Sequence, residues 1–140
     1  MATCWRRTAR KTGKFIASLT NCTKMQVLNI GWNMFAGRLP SSLANLSNRL
    51  QLLRVRINNI SGVIPSEIGN LVNLQQLDFV GNLLTGAIPE SIGKLTQLRK
   101  LYLHTNNLSG VYIILHRKLN LSIFICCRWQ YLRGVNSTKA

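Results

Sequence analysis

Apolar residues recur along this chain as a repeated phrase rather than at one helical or strand-like interval. Residues 25–49 read MQVLNIGWNMFAGRLPSSLANLSNR and residues 50–73 read LQLLRVRINNISGVIPSEIGNLVN. Residues 74–97 follow as LQQLDFVGNLLTGAIPESIGKLTQ, and residues 98–110 open a fourth row, LRKLYLHTNNLSG. In the third row Leu74, Leu77, Phe79, Leu84, Ile88, Ile92 and Leu95 must all point inward. One coil cannot bury that set, but stacked coils can. Leu77 and Phe79 flank a single polar position, the alternation of a short strand with one face in a core.

The non-apolar columns explain the spacing. Asn33, Asn58, Asn82 and Asn106 stand in one column and Pro40, Pro65 and Pro89 in another. An asparagine at the end of a strand offers donors and an acceptor to backbone groups that the following turn leaves unpaired. Gly37, Gly62, Gly86 and Gly110 share a further column, where the backbone needs a conformation or an approach that a side chain would block. The prolines fix φ and lack a donor, which suits an irregular side better than a helix. A period of 24 or 25 residues headed by L-x-x-L-x-L-x-x-N predicts a leucine-rich-repeat solenoid. The expected architecture is α/β-type: short parallel strands on the concave face, an irregular or 3-10 convex side, and about three and a half to four coils. Half a row precedes the first full one, since residues 18–24 (SLTNCTK) align with residues 42–48 (SLANLSN). The expected boundaries are a basic, disordered tail over residues 1–14, a partial leading repeat over 15–24, the solenoid over 25–110, and a divergent tail over 111–140. Cys22 occupies the column of Leu46, Leu71 and Leu95, which predicts a small buried hydrophobe.

The full phrase L-x-x-L-x-L-x-x-N-x-L-x-G-x-I-P-x-x-I-G-x-L resembles the plant-specific class of leucine-rich repeats. The stretches ISGVIPSEIGNLVNLQQLDFVGN and LTGAIPESIGKLTQLRKLYLHTNNLSG are similar to plant receptor-like kinase and receptor-like protein ectodomains. FIASLTNCTKMQVLNIGWNMFAGRLPSSLANLS resembles a middle segment of the immune-receptor-like subfamily. The resemblance runs from about Phe15 to Gly110. It implies a truncated piece of a recognition ectodomain in the plasma-membrane or extracellular family. It also implies a peptide or protein ligand, a receptor-kinase co-receptor and defence-type signalling. No Gly-rich phosphate loop, His-Arg-Asp or Asp-Phe-Gly occurs in this sequence, so the family's kinase activity is not expected.

In such solenoids the positions between the inward leucines face the concave surface. They are Val27, Asn29, Gly31 and Trp32; then Leu52, Arg54, Arg56 and Ile57; then Gln76, Asp78, Val80 and Gly81; then Lys100, Tyr102, His104 and Thr105. Arg54, Asp78 and Tyr102 share one cross-coil column, and Arg56, Val80 and His104 the next. Aromatic and arginine side chains make the best interface anchors. The expected ligand-binding residues are therefore Trp32, Arg54, Arg56, Asp78, Tyr102 and His104.

Charge changes the picture only at the ends. The chain has 18 Lys/Arg against three Asp/Glu, a formal charge of +15. Five of those basic residues lie in residues 1–14 and five in residues 111–140, with no acid in either. Basic ends attract polyanions without sequence preference, so no specific nucleic-acid partner is expected. With Glu67, Asp78 and Glu90 as the only acids, little acid–base chemistry can be built, and neither a catalytic centre, a cofactor nor a metal cluster is expected. Cys4, Cys22, Cys126 and Cys127 show no zinc-binding spacing. MATCWRRTARKTGK carries no apolar run behind its basic residues, so it does not read as a secretory leader. No apolar run reaches the length of a membrane span. Asn-x-Ser/Thr occurs at Asn21, Asn45, Asn59, Asn107, Asn120 and Asn136, marking N-glycosylation acceptors and secretory-pathway ancestry.

The phrase stops after Gly110. The proline column is then empty, and residues 111–140 shift to an apolar-basic composition. Ile113, Ile114 and Leu115, or Ile123, Phe124 and Ile125, are expected to fold over the last coil as a makeshift cap. Codons for Val111 and Tyr112 can begin GTATAT, which resembles an intron's donor end, so this tail also reads as a retained intron or shifted frame. Two functional alternatives accompany the recognition reading. One is a truncated gene product without independent function; the other is a small intracellular interaction protein that uses its basic tails on acidic partners.

Overall fold

A computed structural model of the chain describes residues 10–109. Two parallel sheets run along a single stack of coils. The first contains β2 (Val27–Asn29), β4 (Leu52–Arg54), β6 (Gln76–Asp78) and β8 (Lys100–Tyr102), in that order. The second contains β1 (Arg10–Lys11), β3 (Phe35–Arg38), β5 (Asn59–Val63), β7 (Leu83–Ala87) and β9 (Asn107–Ser109). Each full coil closes through a 3-10 turn: Ser41–Asn45, Ser66–Asn70 and Glu90–Lys94. A proline stands immediately before each turn with extended backbone, at Pro40, Pro65 and Pro89. The 3-10 convex side matches expectation; the second sheet was not foreseen.

The two sheets count residues differently. In the first, Val27 lies opposite Leu52, Leu52 opposite Gln76, and Gln76 opposite Lys100, so the register follows the sequence repeat. In the second, Ala36 lies opposite Asn59, Ser61 opposite Leu83, and Thr85 opposite Asn107. There the partners are two residues out of repeat phase. Asn59 and Asn107 therefore share a sequence column without sharing a row on the surface.

The core is the set of inward columns. Leu53, Leu77 and Leu101 are fully buried on the strands, and Leu74, Leu95 and Leu98 on the returning turns. Of the seven inward residues read in the third row, Leu74, Leu77, Phe79, Leu84, Ile92 and Leu95 are buried and Ile88 is partly buried against them. Burying each such side chain contributes about 1.5–3 kcal/mol, gained only because the next coil supplies the other wall.

Asparagines fasten coil to coil. Asn82 Nδ2 donates to Val55 O across the stack (3.1 Å) and to Phe79 O in its own coil (3.2 Å), while its Oδ1 accepts from Ile60 N (3.2 Å). Asn58 repeats the pattern with Ile30 O, Val55 O and Phe35 N. Asn106 repeats it with Phe79 O, Leu103 O and Leu84 N. Asn33, in the first coil, is exposed, and its amide donates to Ile30 O and Gly31 O of its own coil.

Two expectations need correction at the N-terminal end. Residues 10–14 do not continue the tail: Arg10–Lys11 pairs with β3, and α1 (Thr12–Leu19) packs on that strand and the first 3-10 turn. Its apolar stripe is Thr12, Phe15, Ile16 and Leu19, with helical spacing. Ile16 is fully buried, Thr12 Oγ1 donates to Ala36 O (2.8 Å), and the Phe15 and Phe35 ring centroids lie 4.9 Å apart. A stripe this short is masked in the sequence by the surrounding basic residues. The second correction is Cys22, which is an exposed free thiol rather than a buried residue. Its N–H donates to Leu19 O just as Leu71 N–H does to Ile68 O, so the turn is the expected one. Among the described residues, however, no preceding coil closes over it.

The expectations for Cys4, Asn120, Cys126, Cys127, Asn136 and the makeshift cap fall outside the described residues.

Candidate functional site on the concave sheet

The four-stranded sheet sets the candidate residues in rows because its register follows the repeat. Asn29, Arg54, Asp78 and Tyr102 lie directly opposite one another on β2, β4, β6 and β8. The following column is carried by backbone bonds beyond the strands: Trp32 N donates to Arg56 O (3.0 Å), Ile57 N to Val80 O (2.7 Å), and Gly81 N to His104 O (3.2 Å). Trp32, Arg54, Arg56, Asp78, Tyr102 and His104 are thus brought to one face.

They are not equally available. Trp32 is 75% exposed, and Tyr102 and His104 are half-buried. Asp78 is 2% exposed, which removes it from direct contact with a ligand. One of its oxygens, Oδ1, accepts from Val80 N (3.2 Å), a short loop back to its own backbone. Asn29 does the same for Gly31 N (3.1 Å) in the first coil. The other oxygen of Asp78, Oδ2, faces two cations, with Arg54 Nε at 3.4 Å and Arg56 Nη1 at 3.6 Å. About a third of each arginine side chain remains exposed. One buried carboxylate held between two guanidinium groups leaves a net positive charge facing outward.

Three nitrogens on this face are buried without a hydrogen-bond partner: Arg54 Nε and Arg56 Nε, both donors, and His104 Nδ1. Arg54 Nε lies close enough to Asp78 for Coulomb attraction, but outside hydrogen-bond geometry. A buried donor left unpaired costs about 1–3 kcal/mol, and an acceptor supplied from outside would recover part of that. Lys100, on β8, adds an exposed ammonium group. Sequence reasoning placed Lys100 on the face without choosing it as a contact; its exposure and the burial of Asp78 reverse the weights of those two.

The backbone at the strand ends is also unusual. Trp32, Ile57 and Thr105 have φ of 59°, 54° and 58°, in the left-handed region, and Gly81 stands in the same column at 67°. A side chain at Gly81 would sit 2.6 Å from Ile57 Cδ1. Non-glycine residues in this conformation carry strain of about 1–3 kcal/mol. No sequence signal at Trp32 or Thr105 announced it; the glycine in their column was the only hint.

A groove of about 370 Å³ lies just before the concave strands, lined by Gln26, Arg49, Gln51, Asn73, Gln75 and Gln97. It includes none of the candidate contact residues. Among the described residues no group of His, Cys, Asp and Glu could hold a metal ion, and no helix is long and apolar enough to cross a membrane.

Comparison with known proteins agrees with this geometry. Two family models described as leucine-rich repeat match residues 24–46 and 48–108. The LRR receptor-like serine/threonine-protein kinase EFR of Arabidopsis thaliana is 46% identical over 37 residues, 26% of this chain and 4% of that protein. Among solved structures, the PEPR1–AtPEP1 complex is 36% identical with a TM-score of 0.72, covering 77% of this chain and 15% of that one. The ectodomain of the Arabidopsis receptor kinase HAESA, solved with an N-terminally extended IDA peptide hormone ligand, is 32% identical with a TM-score of 0.72. It covers 79% of this chain and 19% of its own. The chain therefore spans a small part of the length of each of these proteins. It belongs to the leucine-rich-repeat family, and its coils are of the kind that build plant receptor-kinase ectodomains.

Proposed function

We propose that the chain is a recognition module that binds a peptide or protein on its four-stranded concave sheet. Its role is that of a segment of a plant receptor-like kinase ectodomain in defence-type signalling, with a receptor-kinase co-receptor as a further partner. The observation that carries this reading is the charge layout of the face. Arg54, Arg56 and Lys100 present cations, while the one carboxylate on the face, Asp78, is buried beneath the arginines. Such a surface favours a ligand rich in acceptor atoms, and buried arginine anchors dominate interface energetics. The likeness to ectodomains solved with peptide hormones supports the same reading.

The test is binding of a mixed peptide pool to the full chain and to its Arg54→Gln/Arg56→Gln variant, at about 0.15 M salt where free surface charges are screened beyond about 8 Å. Retention that falls at least tenfold in the variant supports concave recognition. Equal retention means that the basic ends do the binding, and the proposal fails.

Asn21, Asn45, Asn59 and Asn107 are all exposed. In a chain routed through the secretory pathway we assign them as N-glycan acceptors, tested by a mobility shift on enzymatic deglycosylation of each Asn→Gln variant.

A further inference from the structure

Resting on concave recognition, we infer that the ligand has a fixed polarity: an extended peptide with an aromatic side chain at Trp32 and an acidic side chain over Arg54 and Arg56.

The concave positions change character along the stack. The first coil presents Val27, Asn29, Gly31 and Trp32, with no charged group. The next three present Arg54, Arg56 and Lys100 as charges, and their only carboxylate, Asp78, is buried. Glu67 and Glu90, the other acids, sit in 3-10 turns on the opposite side. An acidic group therefore finds complementary charge at the second and fourth coils and none at the first.

Trp32 supplies the other end. Among the described residues it is the most exposed of the large apolar side chains, at 75%, and its backbone is in the left-handed region. An indole standing in water on a strained backbone gains nothing from the fold itself. Its neighbour Gly31 shows what adjoins it. A Cβ on Gly31 would come within 3.0 Å of Arg56 Cγ, so the arginine stem runs across the bare glycine next to the tryptophan. The Trp32 N–H also donates to Arg56 O (3.0 Å). An aromatic anchor and a cationic anchor thus occupy adjoining coils, with the Asn29 amide also beside the bare glycine.

Spacing follows from sheet geometry. Neighbouring strands lie about 4.8 Å apart, and Trp32 and Arg56 stand on adjoining coils, so the two anchors are separated by about 5 Å. An extended chain covers about 3.3 Å per residue, which places the acid about one to two residues from the aromatic.

The experiment titrates the full chain and its Trp32→Ala variant with three terminally blocked peptides, followed by calorimetry. The first is Gly-Phe-Gly-Asp-Glu-Gly. The second has glycine in place of phenylalanine, and the third has lysines in place of the acids. Trp32→Ala should weaken the first peptide about tenfold and leave the second unchanged, the coupling expected of a direct pair. The lysine peptide should not bind. Arg54→Gln/Arg56→Gln should weaken both acidic peptides about tenfold. If the arginines matter but Trp32→Ala affects both peptides equally or neither, the polarity is wrong while concave recognition stands. If the arginine substitutions change nothing, concave recognition itself fails. Because Trp32 is exposed, its variant should keep the parent's circular dichroism, which separates loss of binding from loss of fold.

Discussion

Asp78 Oδ2 lies 3.4 Å from Arg54 Nε on the neighbouring strand, with Nη1 of Arg56, from the same coil as Arg54, at 3.6 Å. The carboxylate is 2% exposed, whereas a third of each arginine is open to water. This asymmetry sets different costs for removing the partners. Arg54→Ala alone leaves Asp78 paired with Arg56 and should cost no more than about 1 kcal/mol. Arg54→Ala/Arg56→Ala strands a buried charge and should cost about 3–5 kcal/mol. Urea unfolding of the parent, Arg54→Ala, Arg56→Ala and the double variant checks the non-additivity; a double variant equal to the sum of the singles would show that Asp78 is not a shared partner.

The asparagine ladder makes a graded prediction. Asn82→Ala removes two cross-coil bonds and leaves Val55 O and Ile60 N without this partner. Val55 O keeps the bond from Asn58 Nδ2, so the loss should be about 1–3 kcal/mol, that of one buried orphan at Ile60 N. Asn33→Ala removes bonds at an exposed site of the first coil and should cost less than about 1 kcal/mol. Thermal melts of both variants rank them, and equal losses would remove the ladder as the fastening between coils.

Strain at the strand ends can be relieved in one place and created in another. Thr105 is exposed at φ 58° and β-branched. Asparagine tolerates that conformation better, so Thr105→Asn should stabilise by about 0.5–1 kcal/mol. Gly81→Ala should do the opposite, losing about 1–3 kcal/mol, because its Cβ would press on Ile57 Cδ1. Chemical denaturation of the pair gives both signs; a stabilising Gly81→Ala would contradict the close approach.

Helix α1 acts as the roof of the first coil. Ile16 is completely buried there, and Ile16→Ala should cost about 2–5 kcal/mol. Lys14→Ala, at an exposed position of the same helix, should fall within about 0.5 kcal/mol of the parent. If the two variants melt together, the helix contributes no cover.

Much of this protein is legible in its sequence because a solenoid's order is one-dimensional. The columns of Leu53, Leu77 and Leu101, of Asn58, Asn82 and Asn106, and of Pro40, Pro65 and Pro89 recur in phase. Each coil faces the same packing problem as its neighbour, so the repeat alone determined coil number, inward residues, the concave strands and the row shared by Arg54, Asp78 and Tyr102. What depends on an end of the stack, or on where a side chain comes to rest, had no column to reveal it. Cys22 has the right column and the right turn, yet lies exposed because burial needs a coil on both sides. Helix α1 follows the needs of an open end, not the repeat. The second sheet steps out of phase with the period and so leaves no periodic mark. Asp78 reads as one more polar position on the face. Only the tertiary structure, by drawing Arg54 and Arg56 over it, decided that it is buried and that the face it leaves behind is positive.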